Sequence, residues 1–279
     1  MSLGDRAEGM AHLRRAVERI EARGAGVAER TGARLSLTRA LDRQLGGGLS
    51  GDSLHEIAPA APADAASAMG FALSLAVRFM DERRAAGLFV GEEFAASQAG
   101  ALYAPGLVAH GLDLNRLVFV RAPDALSLFH AMEEGLKSGA PAVVVGELWR
   151  LKAYDLAVSR RLLLAARAGA TPALLVQASA YGLADKLSSA AETRFEIASA
   201  PSAHLPSAGS GRGLPGPPTF AARLVKARLV SAQGPPAVDT QRIFRLVWRS
   251  KDKQFDEPAI SLPLAATSSD GPREARAKA

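Results

Sequence analysis

Leu37-Thr-Arg-Ala-Leu-Asp-Arg-Gln-Leu-Gly-Gly-Gly-Leu-Ser-Gly-Asp-Ser-Leu-His-Glu-Ile57 is where the fold becomes readable. Residues 37–44 have helical spacing. Gly46, Gly47 and Gly48 follow, and three successive glycines are too costly to order in a helix, so they mark a turn. Residues 53–57 then read as a strand. It runs into the loop Ala58-Pro-Ala-Ala-Pro-Ala-Asp64, and a helix is expected over residues 65–86. Met69, Leu73, Ala76, Val77 and Met80 form its apolar stripe, and Asp64 stands where an N-cap would. A strand, a loop and a long helix make the first half of a β-α-β unit.

Working outward, strands are expected at residues 87–90, 117–120, 142–145 and 173–176. Helices are expected at 126–137 and 153–168, with residues 95–110 partly helical. Ala142-Val-Val-Val145 is apolar throughout, the pattern of a strand buried on both faces. Strands alternating with helices imply a parallel sheet sandwiched by helices. After residue 193 the pattern changes. Residues 193–197, 219–230 and 242–249 alternate polar and apolar positions, as antiparallel strands do. The expected organisation is an N-terminal helical segment (1–44) and an α/β core (45–200). A connection rich in Ser, Pro and Gly (201–218) leads to antiparallel strands completing the sheet (219–262), then a tail (263–279). Within the first segment, residues 10–20 read as a helix, with Leu13, Val17 and Ile20 on one face.

The chain has 279 residues, no cysteine and a net charge of +6. Without cysteine there is no disulfide framework, zinc–cysteine site, iron–sulfur cluster or thiol nucleophile, and five scattered histidines make no metal site. The positive charge sits at the two ends, while residues 46–219 are close to neutral. The first residues are dense in Arg and Glu, unlike a signal peptide, and no stretch reads as a bilayer span. A cytoplasmic protein with no membrane contact is expected.

A strand–loop–helix at the start of a parallel sheet invites a phosphate-loop reading. That loop needs glycines, so that backbone N–H groups can turn inward, and a Lys for the phosphate charge. Here Pro59 and Pro62 offer no N–H, Asp64 repels anions, and no Lys or Arg occurs between Arg43 and Arg78. Tight triphosphate binding is not expected, nor is any cofactor. His55, Glu56 and Asp64 have no spacing specific to acid–base chemistry. The basic segments carrying Arg223, Lys226, Arg228, Arg242, Arg245 and Arg249 interleave with Phe244 and Trp248. That pattern suits nucleic acid or an acidic partner. The same Lys and Arg also suit an edge strand guarded against aggregation.

Residues 36–249 resemble the RecA-like ATPase core, and the ImuA family in particular. The stretch from Leu37 to Ile57, with its Leu-His-Glu-Ile ending, carries most of the likeness. The resemblance implies a mostly parallel central sheet flanked by helices and extended by antiparallel strands near the C-terminus. Phe89-Val-Gly-Glu-Glu93 resembles the strand that ends in the catalytic glutamate, which falls on Glu93. Ala142-Val-Val-Val-Gly-Glu-Leu148 resembles the Walker B strand, with its Asp position at Gly146. Leu174-Leu-Val-Gln177 resembles the strand ending in the nucleotide-sensing glutamine, Gln177. The degenerate nucleotide loop comprises Ala58, Pro59, Asp64, Ala65, Ala66 and Ser67. The phosphate-loop Lys position is Ala65, and the magnesium-holding Ser/Thr position is Ala66.

The resemblance implies a non-catalytic adaptor of mutagenic translesion DNA synthesis in the SOS DNA-damage response. Its implied partner is ImuB, an inactive relative of Y-family polymerases, and through it a C-family error-prone polymerase. RecA is a further partner that the resemblance admits, and DNA is met directly or through partners. Contact is expected through Leu13, Val17 and Ile20 and through the late basic strands, including Trp248. The alternatives are a weak or unconventional ATPase or DNA-binding RecA paralogue, and a SulA-like inhibitor of cell division.

Overall fold

The computed structural model describes residues 33–202, 216–228 and 238–257. The expected helix with Leu13, Val17 and Ile20, most of the connection at 201–218 and the tail at 263–279 lie outside the described residues. The strands are β1 (Arg34–Leu35), β2 (Leu49–Ser50), β3 (Leu54–Pro59), β4 (Gly87–Glu92), β5 (Leu117–Ala122) and β6 (Val143–Leu148). They continue with β7 (Ala173–Gln177), β8 (Thr193–Ser199), β9 (Thr219–Ala227), β10 (Ile243–Arg249) and β11 (Gln254–Asp256). The α-helices are α1 (Arg39–Gln44), α2 (Ala65–Arg83), α3 (Glu93–Ala99), α4 (Ala104–Ala109), α5 (Ala125–Ser138) and α6 (Leu156–Ala168).

Nine strands form one sheet in the order β11-β10-β9-β8-β3-β7-β6-β4-β5. From β8 to β5 every neighbouring pair is parallel. From β8 to β11 every pair is antiparallel. The molecule is therefore an α/β protein with a mostly parallel central sheet and an antiparallel extension. The apolar runs that marked β6 and β7 sit in the middle of the parallel block, buried throughout save one half-buried residue, Glu147, as strands covered by helices on both faces must be.

One face is covered by α2. Its Phe71 packs on Phe195, Phe220 and Phe255, with ring centroids 5.5, 5.7 and 5.5 Å away. Leu35, Leu37, Leu41, Leu45 and Leu49 join the same cluster. The described end of the 1–44 segment thus belongs to the core, and residue 45 is no boundary. Its glycine turn is real, since Gly46, Gly47 and Gly48 all have positive φ (63°, 105° and 123°). The other face is covered by α5 and α6, which close over Leu54, Leu88, Val90, Val144 and Leu175. Asp124 and Asp155 start these two helices, accepting hydrogen bonds from Ser127 N and Val158 N at 2.7 and 2.8 Å.

Residues 95–110 are partly helical as expected, in two short helices, α3 and α4, separated at Gly100. Several expectations need correction. Strand β11 had no sequence signal, being only three residues long. Residues 62–83 are long and apolar enough to cross a membrane (mean hydropathy 1.2), contrary to expectation, but 67% of that window is buried inside the fold. Trp248 and Phe244 are buried at 0% and 3% exposure, so they are core residues and not contact residues. Alternation explains this: a strand sends successive side chains to opposite faces. Phe244, Leu246 and Trp248 face α2, while Ile243, Arg245 and Arg249 face out.

Candidate functional site

In parallel sheets, ligands gather at the carboxyl ends of the strands. There the structure brings together the ends of β3, β4, β6 and β7. Ala58 and Pro59 end β3 and are buried; a 3-10 turn, Pro62–Asp64, leads into α2, whose first residues are Ala65, Ala66 and Ser67. The N–H groups that a phosphate would need are largely in use. Ala60 N–H donates to Ile197 O at 2.8 Å, and Asp64 N–H to Ala61 O at 2.9 Å. Ala65 N–H donates to Pro62 O. Ala61 N–H donates to the Asp64 carboxylate at 3.2 Å.

Asp64 is accordingly not the expected N-cap. It makes no side-chain cap hydrogen bond to α2. Its Oδ1 instead accepts from Ser199 N and Ser199 Oγ at 2.8 and 3.0 Å. The carboxylate is buried and ties the loop to the end of β8. The one charged side chain of the loop is thus acidic, which opposes binding of an anion there.

The carboxylate that closes β4 is Glu92, one residue before the expected Glu93. Glu93 opens α3 and is exposed. Glu92 is buried, and its Oε2 accepts Trp149 N–H and Arg150 N–H at 2.9 and 3.2 Å. Arg150 Nε lies 3.4 Å from Oε1, and its guanidinium sits 4.8 Å above the Phe94 ring. Glu92 therefore clamps the loop after β6.

Gly146 cannot stand in for a magnesium-holding Asp. A Cβ there would lie 2.2 Å from Met132 Sδ, on the α5 face of the sheet. By alternation its neighbour Glu147 faces the other way, on the side of its β4 partner Gly91. Trp149 Nε1 donates to Glu147 at 3.1 Å. Burial, with the nearby Glu92 charge, holds the Glu147 carboxyl above its usual range. Gln177 ends β7, fully buried, and among the described residues neither amide atom has a hydrogen-bond partner. Among the described residues, no three His, Asp or Glu are grouped to hold a metal.

His55, Glu56 and Asp64 do not form one cluster. His55 faces Thr193 and Ser50. Glu56 faces the opposite way, into a buried network that sequence reasoning missed. There Arg194 Nε donates to Glu56 at 2.6 Å, Ser189 Oγ donates to it at 3.0 Å, and the Tyr154 hydroxyl donates to it as well. Arg194 also donates to the carbonyls of Ala184 and Leu187, both at 2.7 Å, so the pair pins the loop after β7 to the sheet. Its one sequence signal is a Glu, charged, in the middle of the Leu-His-Glu-Ile strand.

The late basic residues divide into two groups. Arg223 is held by Glu196 and Asp185 at 2.9 and 3.0 Å. Lys226 Nζ donates to Ser189 O and Oγ at 2.8 and 3.1 Å, and burial pulls its pKa down to about 8. Arg228, Arg242, Arg245 and Arg249 are exposed. Arg242 lies over Phe244, Arg245 donates to Pro201 O, and Arg249 pairs with Asp256 at 2.7 Å.

No family model matches the chain, and no curated protein matches it. Among solved structures it is similar to the crystal structure of the RadB recombinase. The two chains share 14% identity at a TM-score of 0.48, over 79% of this chain and 97% of that one. At that identity no residue role passes from one protein to the other.

Proposed function

We infer that this chain works as a binding subunit and not as a nucleotide hydrolase. The reading is of a RecA-like adaptor, of the kind its ImuA resemblance implies, in mutagenic translesion synthesis. The observation that carries the non-catalytic part is the loop closed by Asp64. The N–H groups of Ala60, Ala61, Asp64 and Ala65 are bonded within the chain, the loop's one charge is negative, and the position that resembles the Walker B acid is Gly146, which has no side chain to offer a metal. The adaptor part rests on the Leu37–Ile57 stretch and on that loss of chemistry from an otherwise intact sheet. An ImuB-like protein is the proposed partner. A C-family polymerase joins through it, and contacts to RecA or DNA belong to the assembled complex.

Two measurements test this. Calorimetric titration with Mg-ATP is expected to show no saturable binding up to millimolar nucleotide. Micromolar binding that is lost in Glu92→Gln or Glu93→Gln would overturn the non-catalytic reading. Co-expression with an ImuB-like protein is expected to give a complex that survives gel filtration, and its absence sinks the adaptor reading.

A further inference from the structure

Lys226 stands at the edge of the Glu56–Arg194 network, half-buried where Glu56, Ser189 and Arg194 are buried. Its Nζ donates to Ser189 O at 2.8 Å and to Ser189 Oγ at 3.1 Å. That hydroxyl is fully engaged. It donates its only proton to Glu56 Oε2 at 3.0 Å, and it accepts from Arg194 Nη2 at 2.9 Å as well as from Lys226. Glu56, the carboxylate of the network, is taken by Arg194 and by the Tyr154 hydroxyl. Lys226 therefore has two acceptors and no ion pair among the described residues.

Two acceptors match a neutral amine better than an ammonium. A neutral amine has two N–H groups, and both are used here. An ammonium has three, and the third finds no acceptor among the described residues. With both N–H groups on Ser189, the lone pair of the neutral amine points away from it. The surroundings act the same way. Burial lowers the Lys226 pKa to about 8; Glu56 opposes the fall, and Arg228 and Arg194 add to it. The Tyr154 hydroxyl, held protonated by burial and by Glu56, adds no charge. At pH 8 about half of such an amine is neutral, against well under one per cent of an ordinary lysine. Lys253 is half-buried too, but it is paired with Asp81, and Lys152, Lys186 and Lys251 are exposed. A desolvated lysine beside a second cation is a recognised route to an amine nucleophile near neutral pH.

We propose that Lys226 is a nucleophilic amine and a site of N-acylation by small acyl donors, an acyl phosphate or an acyl thioester. The lone pair attacks the carbonyl carbon and a C–N bond forms. The C–O or C–S bond breaks, phosphate or thiolate leaves, and the nitrogen gives one proton to solvent. The product amide has one N–H in place of two, so one of the bonds to Ser189 is lost. That loosens the tie between β9 and the loop joining β7 to β8, which Arg194 also pins. This chemistry is independent of the nucleotide loop and of which complex the chain joins.

The test is competitive acetylation of the full chain at pH 7.5, read residue by residue by mass spectrometry. Acetyl phosphate is the donor in one arm and acetyl-CoA in the other. Lys226 is expected to react at least tenfold faster than Lys152, Lys186 or Lys251 in one arm or both, and the faster arm names the donor. Its rate is expected to level off above about pH 8.5, while theirs keeps rising toward the ordinary lysine pKa. In concentrated urea the advantage is expected to vanish, because it comes from the folded network. A Lys226 no faster than the exposed lysines in either arm overturns the proposal. So does a rate that climbs in step with theirs, or an advantage that persists in urea. A chain carrying acetyl-lysine at position 226 is expected to be cut by chymotrypsin at the exposed Tyr181 at least twofold faster than the unmodified chain. An unchanged rate overturns the link to the loop.

Discussion

His55 and His110 are both held neutral by their surroundings. His55 Nε2 lies 2.9 Å from Ser50 O, so that nitrogen carries the proton, and Nδ1 accepts from Thr193 Oγ1 at 2.8 Å. Burial lowers its pKa; Glu192 and Asp52 pull it up, and Arg34 pushes it down further. His110 Nε2 lies 3.0 Å from Gly70 O, and its pKa is lowered chiefly by burial. A histidine with a lowered folded pKa takes up its proton more readily when unfolded. Stability is then complete above about pH 6.5 and falls as pH drops below it, by at most about 1.4 kcal/mol per pH unit per group. Urea unfolding midpoints should fall between pH 7.5 and 5.5, and His110→Gln should flatten that slope. These roles were illegible in sequence, because partners such as Thr193 are 138 residues away. Asp64 was legible as a loop residue but not in its partner. An N-cap is read from local position, whereas Ser199 reaches it through the tertiary fold.

At the scale of elements, strand alternation decides more than composition. The parallel block was readable because its strands are short apolar runs separated by amphipathic helices. The aromatic and basic residues of β10 were also readable, but alternation puts them on opposite faces, which separates Trp248 from the arginines. The same rule governs β6. Gly146 faces α5, with Met132 Sδ 2.2 Å from where a Cβ would stand. Placing an acid there is therefore expected to damage the fold. Gly146→Asp both overpacks that contact and buries an unpaired carboxylate, and a loss of about 3 kcal/mol or more is expected in urea unfolding. An unchanged midpoint would show that α5 can move away. Strand β11 escaped sequence reading for a simpler reason: at three residues it is too short to show a period.

Across the whole molecule, the antiparallel extension and the parallel block share one core. Phe220, Phe244, Trp248 and Phe255 pack in the cluster that contains Phe71, Phe79 and Phe195. The extension is thus not a separable module. A chain ended at residue 218 would leave Phe71 and its neighbours facing water, and it is expected to be insoluble or to lack a cooperative thermal transition by circular dichroism. A soluble, cooperative fragment would mean that the core closes without β9–β11.

Trp248 also gives the protein its own optical probe. It is one of two tryptophans in the chain. Its indole N–H donates to His110 O at 2.9 Å, and its ring stacks on the His110 imidazole at 5.6 Å. A protonated imidazole takes up electron density from an excited indole far better than a neutral one. In a Trp149→Phe background, emission would come from Trp248 alone and dim as His110 gains its proton. One fluorimeter trace against pH would then follow a single buried ring in the intact fold, with no label attached.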